Sequence, residues 1–351
     1  MLIPLAKWTD PASRKRSVLE AIQKRDAAAL LEFHAVYLGL HGKKRTKISP
    51  RTLIEYEAAI LDFLEWVWPE ATPAPHFQLN AASDDQVSEW LAALIEHGSH
   101  RVPPAERRAL EPATAAKLLA GVRSFFKALT WAKVSTPITV VAPSSSTPPE
   151  ERRPALPRAL YKRLLERLNH LVELGNEESL EVRRDRLAVR LLGEAGLRAE
   201  ELVGLETGHY EAATRQLTVT GKGAKTRTVP LGKTLAAELE DWLVLRTVQA
   251  KAGAEAVIIN LGGRKRHGTA MTQQSLRRHL EAHYRALDFP ERYYGAHMLR
   301  HTAGTRIYKA TGDLFSTARL LGHRNVNTAS IYAKMDLESL HEAVDASEEL
   351  E

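Results

Sequence analysis

Gly295-Ala-His297-Met-Leu-Arg300-His301-Thr302-Ala303 opens the stretch on which the reading of this chain turns, and Leu320-Leu321-Gly322-His323-Arg324-Asn325, then Tyr332, closes it. The first segment reads as the start of a helix after a glycine. His297 and Arg300 stand three residues apart and share a helical face, and His301 stands four from His297. The second segment reads as a helix that stops at Gly322, with a polar turn after it. Histidines at i and i+4 have the spacing of zinc peptidases, but that pattern needs a Glu where this chain has Met298, and no carboxylate ligand stands nearby. A metal is therefore not expected. Taken singly, each of these residues reads better as a capping or pairing side chain in a helical bundle than as a catalytic group, so only the set as a whole points to chemistry.

Outward from this stretch, Gln216-Leu-Thr-Val-Thr220 and Thr226-Arg-Thr-Val-Pro-Leu231 alternate and are rich in β-branched residues. Between them lies Gly221-Lys222-Gly223-Ala224-Lys225, so the spacing predicts a hairpin with a basic, glycine-containing tip. Helical periodicity covers 158–171, 181–194, 234–248, 272–287, 296–309 and 314–321, which makes the C-terminal part helical around a small antiparallel sheet. The run from Val134 to Pro157 carries six prolines and the Ser144–Ser146 tract and reads as an extended linker.

Before that linker the pattern is all helical. A helix is expected over 27–40. Another starts at Pro50 behind a Ser49 cap, with Leu53, Tyr56, Ile60, Leu64 and Val67 in step until Pro69. A third begins at Ser83 with Asp84 and Asp85 at the positive end of its dipole. A fourth begins near Pro112 and presents Leu118, Leu119, Val122, Phe125, Phe126 and Leu129. Four amphipathic helices make a small bundle. Residues 52–100 contain no Lys or Arg, whereas Lys43, Lys44, Arg45 and Lys47 precede the Ser49 cap and Arg101, Arg107 and Arg108 flank a proline pair. Both clusters are candidates for phosphate contact.

The 351-residue chain has no cysteine, which excludes disulfide scaffolds, thiolate metal sites and thiol nucleophiles. Its longest apolar runs are far too short for a membrane span, and no secretion signal opens it, so a soluble, cytoplasmic protein is expected. The formal charge of +6 is modest, but its distribution is not. Residues 333–351 hold one base and seven acids, whereas the other 332 residues hold 48 bases and 36 acids, a net of +12. A basic body with an acidic tail points to a polyanionic partner.

The ordered set His297-x-x-Arg300-His301-Thr302, Leu321-Gly322-His323 and Tyr332 resembles the C-terminal signature of the tyrosine recombinase (phage-integrase) family. Gly196-Leu197-Arg198-Ala-Glu-Glu201-Leu202 is similar to that family's first-arginine motif, and Thr220–Leu231 to its catalytic-lysine hairpin. The resemblance spans the C-terminal half by motif and the N-terminal half by architecture only. It implies a mainly α fold with a small antiparallel β-sheet: a helical core-binding domain over 1–133, a linker over 134–157, an α+β catalytic domain over 158–335 and an acidic tail helix over 336–351, docking in trans on a neighbouring protomer, with docking on its own domain as the alternative. It also implies roles. Arg198 and Arg300 would clamp the scissile phosphate, Tyr332 would attack it, and Lys222 (with Lys225 as the alternative) would protonate the leaving oxygen. His323 and His297 would bind phosphate or handle the nucleophile's proton, and Glu201 would orient the arginines or His323. No cofactor is implied. The partners implied are double-stranded DNA and further copies of the chain, a tetramer on DNA, with a paralogous recombinase as one variant of it. A Xer-like resolution of DNA dimers is the reading favoured by a short N-terminus. A mobile-element integrase, a tyrosine topoisomerase and a non-catalytic DNA binder are the alternatives.

Overall fold

The computed structural model describes residues 8, 10–42, 48–68, 77, 79, 83–144, 154–175, 179–221, 225–263, 265–322 and 332. The chain divides into two compact units, Met1–Ser146 and Thr147–Glu351.

In the first unit the described helices are α1 (Pro11–Gln23), α2 (Ala27–His41), α3 (Pro50–Val67), α4 (Ser83–His97) and α5 (Pro112–Trp131). Three begin at side-chain caps: Asp10 accepts from the Ser13 amide at 2.6 Å, Asp26 from that of Ala29 at 2.9 Å, and Ser49 from that of Thr52 at 3.2 Å. Their apolar stripes meet in a core that includes Phe33, Ile60, Phe63, Trp90, Leu119, Phe125 and Phe126. Sequence periodicity gave four of these helices and missed α1. Its stripe is thin, because Val18, Ala21 and Ile22 share the inward face with a buried arginine, Arg14. That guanidinium lies 3.7 Å from the centre of the Trp131 ring and donates to the Trp8 and Trp131 carbonyls, so a cation is buried there with partners for its charge.

A second buried polar group fixes the loop after α4. The Asp62 carboxylate accepts from Trp90 Nε1 at 2.9 Å, from the His100 amide at 3.0 Å and from the Ser99 hydroxyl. Burial alone would raise its pKa, but hydrogen bonds from His100, Ser99 and Trp90 hold it below the ordinary value. The start of the stretch read as an extended linker packs on the first unit. Val140 is buried in the first unit's core, and the Thr139 amide donates to Asp84 at 3.0 Å in the first turn of α4.

The second unit contains α6 (Arg158–Glu173), α7 (Ser179–Gly193), α8 (Ala199–Val203), a three-stranded antiparallel sheet, α9 (Lys233–Gln249), α10 (Gln273–Arg285), α11 (Ala296–Thr311) and α12 (Leu314–Leu321). The sheet runs β1 (Tyr210–Glu211), β2 (Gln216–Gly221), β3 (Lys225–Pro230), in that spatial order. Register puts Gln216 opposite Pro230 and Gly221 opposite Lys225, so Leu217, Val219 and Val229 turn inward together. The hairpin is where the alternation put it. Strand β1 is an addition, since two residues are too few to alternate. The main core gathers Leu164, Leu168, Leu187, Leu191, Leu239, Trp242, Leu276 and Tyr284 from α6, α7, α9 and α10. Leu156 is buried against this core, and its amide donates to the Thr302 hydroxyl of α11 at 3.0 Å.

Asp313 starts α12 by accepting from the Phe315 and Ser316 amides at 2.8 and 3.0 Å. Gly322 ends it in the left-handed region at φ 64°, the conformation in which a side chain is strained. Among the described residues, no helix is long and apolar enough to cross a membrane.

Candidate active site

The site is built around one carboxylate. Glu201 lies in the short helix α8, with its side chain wholly removed from solvent. Arg198 is the N-cap residue of that helix. Its backbone amide donates to Glu201 Oε2 at 2.8 Å and its Nη1 to Oε1 at 2.7 Å, while its guanidinium stays about 30% exposed. From β3, Arg227 reaches the same carboxylate with both ends of its fork, Nη1 to Oε1 at 2.5 Å and Nη2 to Oε2 at 2.9 Å. Arg300 Nη1 stands 4.0 Å from Oε2. Burial would raise the Glu201 pKa, but the bonds from Arg227 and Arg198 outweigh it and hold the carboxyl down to about 2. It is ionised throughout the physiological range, which lets three arginines gather around it.

Arg300 comes from the first turns of α11 and is buried. Its Nη1 and Nη2 donate to the carbonyls of Gly196 and Leu321, tying α11 to the turn before α8 and to the end of α12. Burial and then the neighbouring Arg198 push its pKa down to about 10, so it remains a cation at neutral pH. His297, one turn earlier, is exposed.

Tyr332 is fully buried, in a small cluster with Ala303, Ala318 and Leu321. Gly304 makes this seat possible: a Cβ built there would lie 2.5 Å from Cζ of the phenol ring. The His301 ring stands 5.8 Å away. Burial pushes the Tyr332 phenol up, and the charges of Arg300 and Arg198 act in the opposite sense. Thus Arg198, Glu201, Arg300 and Tyr332, spread over 135 positions of sequence, come into one electrostatic neighbourhood.

Of the other candidates, Lys222 and His323 lie outside the described residues, as do Lys43, Lys44, Arg45, Lys47 and the tail 336–351. Lys225 is exposed at the first position of β3. Arg101 and Arg108 are exposed, but Arg107 is half-buried and spends its guanidinium on the Val102 and His100 carbonyls at 2.8 and 3.3 Å. Sequence reasoning passed over Arg227 and Gly304. An arginine within a polar-apolar alternation reads as outward, and a helical glycine reads as neutral. Only the inward register of Arg227 with Val229 could have drawn attention to it. Among the described residues, no group of three or more His, Cys, Asp or Glu side chains is placed to hold a metal ion.

Chemically, two arginines held by a shared carboxylate beside a tyrosine suit a reaction on a phosphodiester. The guanidinium fork matches nonbridging oxygens and stabilises the extra charge they acquire in the transition state. The phenol supplies an oxygen nucleophile.

Residues 158–338 match the family described as the phage integrase family. Tyrosine recombinase XerC of Escherichia coli O127:H6 is 28% identical over 309 residues, covering 86% of this chain and 91% of that protein. The XerC of Shigella flexneri is 29% identical over 312 residues with the same coverage. Among solved structures, the XerH site-specific recombinase in a post-cleavage complex with palindromic difH aligns at TM-score 0.68 and 20% identity, over 99% of this chain and all of that one. A lambda integrase dimer bound to a COC′ core site aligns at TM-score 0.60 and 18% identity, over 87% of this chain and 76% of that one. At these identities the two structures show a shared fold.

Proposed function

As the chain belongs to the phage integrase family, we propose that it is a site-specific DNA recombinase that cuts and rejoins DNA through a 3′-phosphotyrosine intermediate. The observation that carries this is the meeting of Arg198 and Arg300 over one ionised Glu201 beside the buried phenol of Tyr332. In the reaction, the Tyr332 oxygen bonds to phosphorus while the bond to the 5′-oxygen breaks, and that oxygen leaves with a proton. Arg198 and Arg300 hold the nonbridging oxygens as negative charge builds on them. The reverse step uses a 5′-hydroxyl of another strand as nucleophile. The phosphotyrosine link keeps the bond energy of the phosphodiester, so rejoining needs no further energy source.

Lys222 is assigned the proton for the leaving oxygen, His323 a hydrogen bond to the phosphate, and His297 a part in phosphate binding or in the proton balance of the nucleophile. Glu201 orients the arginines. Tyr332 must leave its seat on Gly304 to reach an external phosphate, so substrate binding and exposure of the nucleophile are coupled. Residues 1–133 serve as a core-binding domain and 158–335 as the catalytic domain, joined by 134–157, and the tail 336–351 docks on a neighbouring protomer in a tetramer on double-stranded DNA. The XerC relatives, matched over 91% of their length, favour a Xer-like resolution of DNA dimers in the cytoplasm.

The test is to select duplexes that the full chain binds, nick them to trap cleavage, and recover protein–DNA complexes that survive denaturation. The expected product carries protein on the 3′ end of the cut strand and leaves a 5′-hydroxyl that a kinase can label. Attachment through the 5′ end, or no covalent product on bound sites, would refute the proposal.

A further inference from the structure

Arg227 has been given no part in the reaction, yet it contacts Glu201, the last turn of α12 and Gly322. Its fork pairs with both oxygens of Glu201, at 2.5 and 2.9 Å. Its Nε donates to the Leu320 carbonyl at 3.3 Å, in the last turn of α12. Its stem lies along Gly322, where an added Cβ would stand 2.6 Å from Cδ and 2.9 Å from Nε. The side chain therefore joins hairpin strand β3 to α8 and to Gly322 at the end of α12.

The sharing of Glu201 gives this contact a consequence. Oε1 accepts from both Arg227 and Arg198, and Oε2 accepts from Arg227 and from the Arg198 amide. With those positions filled, Arg198 makes one side-chain hydrogen bond among the described residues, through Nη1, and its guanidinium keeps about 30% of its surface exposed, open to an external anion. Without the Arg227 fork, Glu201 would offer both oxygens to Arg198, and a bidentate arginine–carboxylate pair is the stronger arrangement. Arg198 would then turn inward, away from substrate.

We propose that Arg227 is a positioning residue of strand cleavage, which by occupying Glu201 and bracing the end of α12 keeps the Arg198 guanidinium turned toward the scissile phosphate. This rests on the function proposed above.

The test compares the full chain with Arg227→Lys, which keeps the charge and the stem on Gly322 but loses the fork. Both are given a nicked duplex recovered in the covalent capture, at saturating DNA, with either a phosphodiester or a neutral methylphosphonate at the cut position. On the phosphodiester, Arg227→Lys should cleave at least tenfold more slowly while binding DNA within threefold of the parent. On the methylphosphonate, which lacks the charge that Arg198 stabilises, the rate gap should shrink below threefold. An equal gap on both substrates, an affinity that falls with the rate, or an unfolded Arg227→Lys protein would each overturn the positioning role. Failure of the parent chain to cleave the phosphodiester would instead overturn the proposed function, and with it this inference.

Discussion

Replacing Glu201 with Gln keeps the shape at the centre of the site and removes its charge. The carboxyl titrates at about 2 in the folded chain against an ordinary value of 4.5. At about 1.4 kcal/mol per pH unit, that difference corresponds to about 3 kcal/mol of stability at pH 7. The figure agrees with the ~3–5 kcal/mol lost when one partner of a buried ion pair is removed. Because the folded value is depressed, the contribution is complete above pH 4.5 and fades as pH falls toward 2. At pH 3 about half of it should remain. Urea unfolding of the parent chain and of Glu201→Gln, followed by circular dichroism at pH 7 and pH 3, measures the gap directly. A gap of about 3 kcal/mol at pH 7 that halves at pH 3 is expected. A gap below 1 kcal/mol, or one that does not change with pH, would refute the view that Glu201 is a charged hub for the arginines.

Gly304→Ala places a methyl group 2.5 Å from Cζ of Tyr332 and should cost about 1–3 kcal/mol or displace the ring. Nitration mapped by mass spectrometry should show Tyr332 more reactive than in the parent, and unchanged reactivity would speak against the seat. Asp62→Ala strips the acceptor from Trp90 Nε1, the Ser99 hydroxyl and the His100 amide and should destabilise the first unit by about 3 kcal/mol, read from urea midpoints. Arg101→Ala should reduce the slope of log affinity for DNA against log salt by about 0.9, one phosphate contact, whereas Arg107→Ala should lower thermal stability and leave that slope alone.

How far the sequence carried the fold depends on local signals. Helix α3 was legible because Ser49-Pro50 marks its start and its apolar stripe is regular, and the β2–β3 hairpin because inward and outward residues alternate. Helix α1 was not, since its inward face includes Arg14, a residue that periodicity scores as solvent-facing and that only Trp131 and two distant carbonyls make tolerable. Strand β1 was too short to have a period at all. At the site, Arg198, Arg300 and Tyr332 could be picked out because their motifs resemble a family, not because any local pattern predicts that they meet. What brings them together is long-range: Arg227 from β3, the carbonyls of Gly196 and Leu321, and the space left by Gly304. Arg107 shows the opposite error. Counted with its neighbours as a base for phosphate, it is spent on the shape of its own loop.

The central claim is that Tyr332 makes and breaks the bond to DNA. Covalent complexes trapped on nicked duplexes, trimmed with nuclease and protease and sequenced by mass spectrometry, locate the attachment. The expected result is a nucleotide joined through its 3′-phosphate to Tyr332, with no adduct from Tyr332→Phe although that variant still binds DNA. An adduct on any other residue, or one that persists in Tyr332→Phe, would contradict the account.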